Sequence, residues 1–118
     1  MKVAEFDELH EIMCKTALDL SRRKGHDYSG EVDRLKNLKA CDSVLEVCTP
    51  AQGVSIRLLD KLSRLGQLLK PGNDAQVKDE TISDTLLDLI NYAVICKALL
   101  IDARKEEGDG QVNEEPSR

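Results

Sequence analysis

The sequence predicts an all-α fold: a packed bundle of four to five helices, assembled as a dimer or larger oligomer. Three observations carry that expectation. Hydrophobic residues make up 41% of the chain but aromatics only 3%, so the core must be aliphatic, a palette that suits helix-on-helix packing better than a β-sandwich. Apolar residues recur at steps of three and four. No segment shows the period-two alternation of a strand, and no internal repeat is present. A length of 118 residues points to one domain. A domain near this size removes roughly two-thirds of its unfolded surface from water. We read residues 1–105 as a single helical domain and 106–118 as a disordered acidic tail, because EEGDGQVNEEPSR is polar and punctuated by Gly and Pro.

The elements follow in order. A first helix is expected from Ala4 to Lys24, on the stripe Phe6, Leu9, Ile12, Met13, Ala17 and Leu20, with Gly25 as its stop. Gly25 to Gly30 reads as a loop. Val32, Leu35 and Leu38 mark a shorter helix from Glu31 to Ser43. Thr49-Pro50 signals the start of a third helix, since proline suits the first turn. That helix should run from Pro50 to Lys70 on Val54, Leu58, Leu62, Leu65 and Leu69. Pro71-Gly72-Asn73-Asp74 is a turn. A last helix should run from Glu80 to Arg104, capped by Asp79 or Thr81, with Thr81 to Asp84 spaced as a capping box. Residues 93–101 read AVICKALLI, apolar all round but for Lys97, and must be covered all round. A unit this small struggles to do so alone, so a homodimer or higher homo-oligomer is expected, with this segment near its interface.

Charge and cysteines narrow the function. The net charge is -5 and the pI is about 5.0, which gives no general pull on nucleic-acid polymers. Phosphates would have to be held by local cations or a metal ion. Cys14, Cys41, Cys48 and Cys96 include no CxxC pair, so they read as ordinary reduced cysteines on helix faces rather than a zinc or disulfide framework. The N-terminus lacks the apolar run of a signal peptide, and no stretch approaches a membrane span. A cytoplasmic location and no membrane partner are the default.

The stretch DETISDTLLDLINYA carries the first candidate chemistry. Glu80, Asp84 and Asp88 are spaced i, i+4, i+8 and stack along one helical face. Like charges so spaced repel, and an ion, a cationic neighbour or water must offset that. Mg²⁺ takes such oxygen ligands and keeps several waters; the alternative is a solvated acidic edge. On the preceding helix Arg57, Asp60, Lys61 and Arg64 share one side. If the two helices pack antiparallel, Asp60 adds a ligand while Arg57, Lys61 or Arg64 meets phosphate oxygens. The alternative is plain ion pairing of these cations with Asp84 or Asp88. Lys24, His26, Asp27 and Tyr28 gather a cation, an imidazole, a carboxylate and an aromatic. They read either as a binding loop, with Tyr28 on a base and Asp27 on a metal or ligand, or as a capped turn. The chain has no phosphate loop, GxGxxG, HExxH or nucleophile signature.

KGHDYSG, a short helix with Asn37, SIRLLDKLSRL and KDETISDTLLDLINYA, in that order, resemble the nucleotide modification associated domain family of phages and bacteria. That family looks like a compact branch of the MazG-like all-α nucleotide pyrophosphohydrolases. The resemblance covers residues 5–100. It implies a cytoplasmic oligomer, in a bacterium or phage-infected bacterium, that cleaves a (deoxy)nucleoside triphosphate to monophosphate and pyrophosphate with Mg²⁺ or Mn²⁺. Carried over residue by residue, Asp84 and Asp88 match the carboxylates of the superfamily's C-terminal acidic helix, and Asp60 stands on the preceding helix where it places more, so these three are the expected catalytic set. The reading of the residues themselves adds Glu80 to them as an expected metal ligand, and Lys24, His26, Asp27, Tyr28, Asn37, Arg57, Lys61 and Arg64 are expected to bind substrate. The wider superfamily places E-x-x-E on the third helix, where this chain has Arg57, Asp60 and Ser63, and Thr85 stands where a glutamate is common. A protein that binds a nucleotide without cleaving it is the alternative, and a helical interaction module is the third reading.

Overall fold

The computed structural model describes the backbone of residues 1–29, 33, 35–72 and 75–108, and their side chains except at 26–29 and 75–77. Among these the architecture is all-α, with no strand. Helix α1 spans Val3–Ser29. A 3₁₀ turn, Lys36–Lys39, runs directly into the one-turn helix α2, Ala40–Ser43. Helix α3 spans Pro50–Leu68 and α4 spans Ala75–Glu107. No described helix is long and apolar enough to cross a membrane.

The start of α3 is built as its sequence suggests. The Thr49 hydroxyl accepts from the Gln52 amide at 3.2 Å, and the Gln52 side chain accepts from the Thr49 amide at 3.0 Å. This capping box satisfies two donors that a helix start leaves orphaned, with Pro50 just inside. Gly72, at φ +107, closes the connection to α4 in the left-handed region that favours glycine. Near that turn the Lys78 ammonium donates to the Lys70 carbonyl at 2.8 Å. Further along the pair, Lys61 meets Asp88 at 2.9 Å. The register is that of an antiparallel αα-hairpin, the most extensive packing in the fold. Helix α1 lies against α4, and Lys39 ties the 3₁₀ turn to the far end of α4 through Asp102 at 2.9 Å.

Several boundaries differ from expectation. Gly25 does not stop α1, which continues through Ser29; glycine inside a helix costs only about 1 kcal/mol, which tertiary contacts override. The expected loop at Gly25–Gly30 is therefore helical up to Ser29, while Gly30, Glu31, Val32 and Arg34 lie outside the described residues. Among the described residues of the expected second helix, Lys36–Ser43 are helical. Helix α4 begins at Ala75, so Thr81 and Asp84 sit inside it and form no capping box. Instead the Thr85 hydroxyl turns back to the Thr81 carbonyl at 2.7 Å, which satisfies it in a buried position. The α4 helix extends to Glu107, three residues past the expected Arg104, and the rest of the tail lies outside the described residues.

The core is narrow. Among the described residues, Ala17, Val54 and Leu99 are its fully buried apolar residues, each at most 2% exposed. The stripe expected to bury α1 does so only in part: Phe6, Leu9 and Ile12 are exposed, because α1 meets its neighbours in its later half. On α3 the inward line is Val54, Leu58, Leu65 and Leu68, while Leu62 and Leu69 face outward with Ile56 and Leu59. Thr49→Ala should lower unfolding free energy by about 1 kcal/mol in urea denaturation, the worth of an N-cap hydroxyl, with helical content retained.

Candidate functional site: a cation-lined cavity around Asp88

On α4 the line turned toward the other helices is Thr85, Asp88, Tyr92, Ile95 and Leu99. A carboxylate therefore enters the packed face between a threonine and a tyrosine. Two lysines from different helices meet it. Lys24 of α1 stands 3.2 Å from one oxygen, and Lys61 of α3 stands 2.9 Å from the other. The Asp88 side chain is 17% exposed. Burial pushes its carboxyl up, but the hydrogen bonds from Lys61 and Lys24, with their charges, outweigh burial and hold it below the usual carboxylate range.

This ion triad opens onto a cavity of about 480 Å³. Helix α1 supplies Ser21, Lys24 and Gly25. The 3₁₀ segment supplies Leu35, Asn37 and Leu38, α3 supplies Arg57, and α4 supplies Asp88, Asn91, Tyr92 and Ile95. The walls divide by chemistry. Lys24, Arg57 and the nearby Lys61 form a cationic side; Leu35, Leu38, Tyr92 and Ile95 form an apolar one. Arg57 is exposed and makes no ion pair among the described residues. Among the described residues, Lys24, Arg57 and the nearby Lys61 stand against the single carboxylate of Asp88. A cavity of this size, part apolar and part cationic, suits a small ligand that carries both an anion and a ring.

The expected residues separate into groups. Lys24, Asn37, Arg57 and Asp88 line the cavity, and Lys61 reaches it through Asp88. Ion pairing of the α3 cations with the acids, the alternative to metal ligation, is what is found at Lys61 and Asp88. Asp60, Glu80, Asp84 and Arg64 are exposed and outside the cavity. The reason is helical phase. Asp60 lies 100° round α3 from Lys61, and α4 drifts about 40° per four residues, so Glu80 and Asp84 turn progressively away from the line that Asp88 occupies. Among the described residues no three His, Cys, Asp or Glu side chains gather as a metal site requires, so the expected four-acid ligand set is not formed. The backbone of His26, Asp27 and Tyr28 is helical rather than a loop, and their side chains lie outside the described residues.

Sequence reasoning missed Ser21, Asn91, Tyr92 and Ile95. Three of these had a signal: Asn91, Tyr92 and Ile95 follow Asp88 at i+3, i+4 and i+7.

A family model described as "nucleotide modification associated domain 1" matches residues 52–100, which cover nearly all of α3 and most of α4. The match includes Arg57, Lys61, Asp88, Asn91 and Tyr92; Lys24 and Asn37 fall outside it. No curated protein and no solved structure matches the chain.

The lowered Asp88 carboxyl has a consequence for stability. A group whose folded value is depressed stabilises the fold above its unfolded value, near pH 4, and loses that contribution as pH falls through the folded value. Asp88→Asn should cost about 1–3 kcal/mol at pH 7 in urea denaturation. The gap between variant and parent should shrink as pH drops below about 4.

Proposed function

We propose that this chain is a nucleotide-binding protein whose ligand lies in the Asp88 cavity, phosphates toward Lys24, Arg57 and Lys61 and base toward Tyr92. One observation carries the reading: among the described residues Arg57 faces the cavity without a carboxylate partner, beside two lysines that share Asp88 as counter-ion. Phosphate oxygens are the ligand chemistry that such a fork and two ammonium groups match. Tyr92, with Leu38 and Ile95, offers a base a dry aromatic edge. The family description, with its reference to nucleotides, supports the same ligand class.

Metal-dependent cleavage, which the MazG-like resemblance implies, has weaker support. The donor set does not fit a resident Mg²⁺. Asp88 already faces two ammonium groups, and no three acids converge among the described residues. We therefore favour binding over hydrolysis.

We also propose that two copies pair through α3. Ile56, Leu59, Leu62 and Leu69 form an exposed apolar stripe, each more than half exposed. Gly66 lies within it, with nothing within 4 Å of where a side chain would begin. In an antiparallel two-fold pairing centred between Leu62 and Ser63, Leu59 of one copy enters the space over Gly66 of the other, with Leu62 beside it and Ile56 and Leu69 at opposite flanks. In the 93–101 segment of α4, Val94 and Leu100 are also exposed.

Two measurements test these readings. Nucleoside mono-, di- and triphosphates should raise the melting temperature without Mg²⁺. Calorimetry should show Arg57→Ala weakening binding about tenfold, the worth of one charge-assisted hydrogen bond, and Asp88→Asn tightening it by removing the acid that competes for the lysines. No thermal response to any nucleotide would sink the proposal, and pyrophosphate release in the presence of Mg²⁺ or Mn²⁺ would establish the hydrolase instead. For assembly, light scattering should give twice the chain mass. Gly66→Leu should return it to the monomer while circular dichroism stays helical, since the added side chain meets nothing within one copy. A parent protein of monomeric mass at micromolar concentration would end the pairing model.

A further inference from the structure

The cavity around Asp88 leaves one pair of neighbouring thiols unused. Cys41 lies in α2, and Cys48 stands two residues before α3 begins. The chain doubles back between them. Glu46 takes φ +53, and the Val47 amide donates to the Cys41 carbonyl at 3.0 Å. The Cys41 thiol in turn approaches the Cys48 carbonyl at 3.5 Å and the Thr49 carbonyl at 3.6 Å. Both sulfurs also converge on Gly53 of α3. A Cβ at that position would stand 2.9 Å from the Cys41 Sγ and 3.6 Å from the Cys48 Sγ. The absent side chain is what leaves room for both. The hydrogen bond with Cys41 pushes the Cys48 thiol up, as expected of two thiols in contact. Both cysteines are half-buried, within reach of a small oxidant.

We propose that Cys41 and Cys48 form a reversible oxidation site, a dithiol that a peroxide converts to an intrachain disulfide. One thiolate attacks a peroxide oxygen and breaks the O–O bond, which gives a sulfenic acid and, with a proton, water. The neighbouring thiol then attacks the sulfenic sulfur, forms the S–S bond and releases a second water. The two sulfurs together lose two electrons, and the peroxide gains them. A thiol-containing reductant reverses the step by exchange.

The pair is placed to matter for the cavity wall. Cys41 stands two residues after the 3₁₀ turn that carries Asn37 and Leu38. A second cavity of about 400 Å³, lined by Cys41, Val44, Gly53 and Val54, shares Asn37, Leu38 and Arg57 with the larger one. A disulfide would tether that wall to the start of α3. The chemistry itself holds whatever the larger cavity binds.

The test uses the full, reduced chain treated with equimolar hydrogen peroxide. The free-thiol titre should fall from four to two, since the chain has four cysteines. Intact mass should fall by two hydrogens, and non-reducing proteolysis should yield a peptide that joins Cys41 to Cys48. Dithiothreitol should restore all four thiols. Gly53→Ala should slow the reaction several-fold, because its methyl group enters the space of the Cys41 sulfur. Cys48→Ser should abolish the linked peptide. The proposal is overturned if Cys41 and Cys48 still titrate as thiols while Cys14 or Cys96 is consumed. It is equally overturned if both end as separate sulfinic acids, or if Gly53→Ala remains helical and oxidises as fast as the parent.

Discussion

The arrangement of helices depends on one carboxylate held between two ammonium groups. Asp88 projects from α4 into the packed face, where a lone charge would be costly. Lys24 and Lys61 make its position tolerable, and they come from α1 and α3. A single acid thereby pins three helices at one point. The apolar core around it is narrow, with three fully buried aliphatic residues among those described. In a chain so sparsely packed, a directional contact fixes relative helix position more sharply than non-directional burial does. The same contact sets the cavity: it fixes where Lys24 stands relative to Arg57, and Tyr92 lies one turn beyond Asp88 on the same helix.

The fold was legible where local rules and tertiary packing agree. Helix α3 is the clearest case, since Thr49, Pro50 and Gln52 state its start and its leucines state its extent. Local signals misled where long-range contacts decide. Gly25 reads as a stop, yet α1 passes through it, one residue beyond a lysine anchored to α4. Thr81 and Asp84 carry the spacing of a capping box, but a helix that begins at Ala75 leaves no orphaned amides at Thr81 to cap. The stripe on α1 was legible as amphipathic, but a stripe does not say how much of its length a partner covers. Phe6, Leu9 and Ile12 show the difference.

The site was half legible, for a reason of geometry. Lys24, Asn37, Arg57, Lys61 and Asp88 were all expected to take part, and the structure brings them to one place. Residue type and spacing pointed to them but could not set their roles. The expected metal set treated Glu80, Asp84 and Asp88 as one face, although i, i+4, i+8 drifts round a helix by about 80° in total. That drift is enough to place Asp88 inside and its two companions in solvent. The thiol pair was illegible for a different reason. Cys48 lies seven positions after Cys41, and the turn with Glu46 at φ +53 and the Val47–Cys41 backbone bond brings them together.

The balance of charge in the cavity links these observations to function. A metal site that activates water needs several acids aimed at one point, with cations kept at the phosphate end. Here, among the described residues, the order is reversed: one acid lies between two lysines, while Asp60, Glu80 and Asp84 face outward. A phosphate that entered would replace the role of Asp88 toward Lys24 and Lys61, exchanging one anion for another of greater charge. Lys24 and Lys61 are already held at the site by the carboxylate, at 3.2 and 2.9 Å, so they need little further ordering to meet a phosphate. Preorganisation of this kind favours binding. It gives no obvious advantage to cleavage, which requires that stabilisation grow between ground state and transition state.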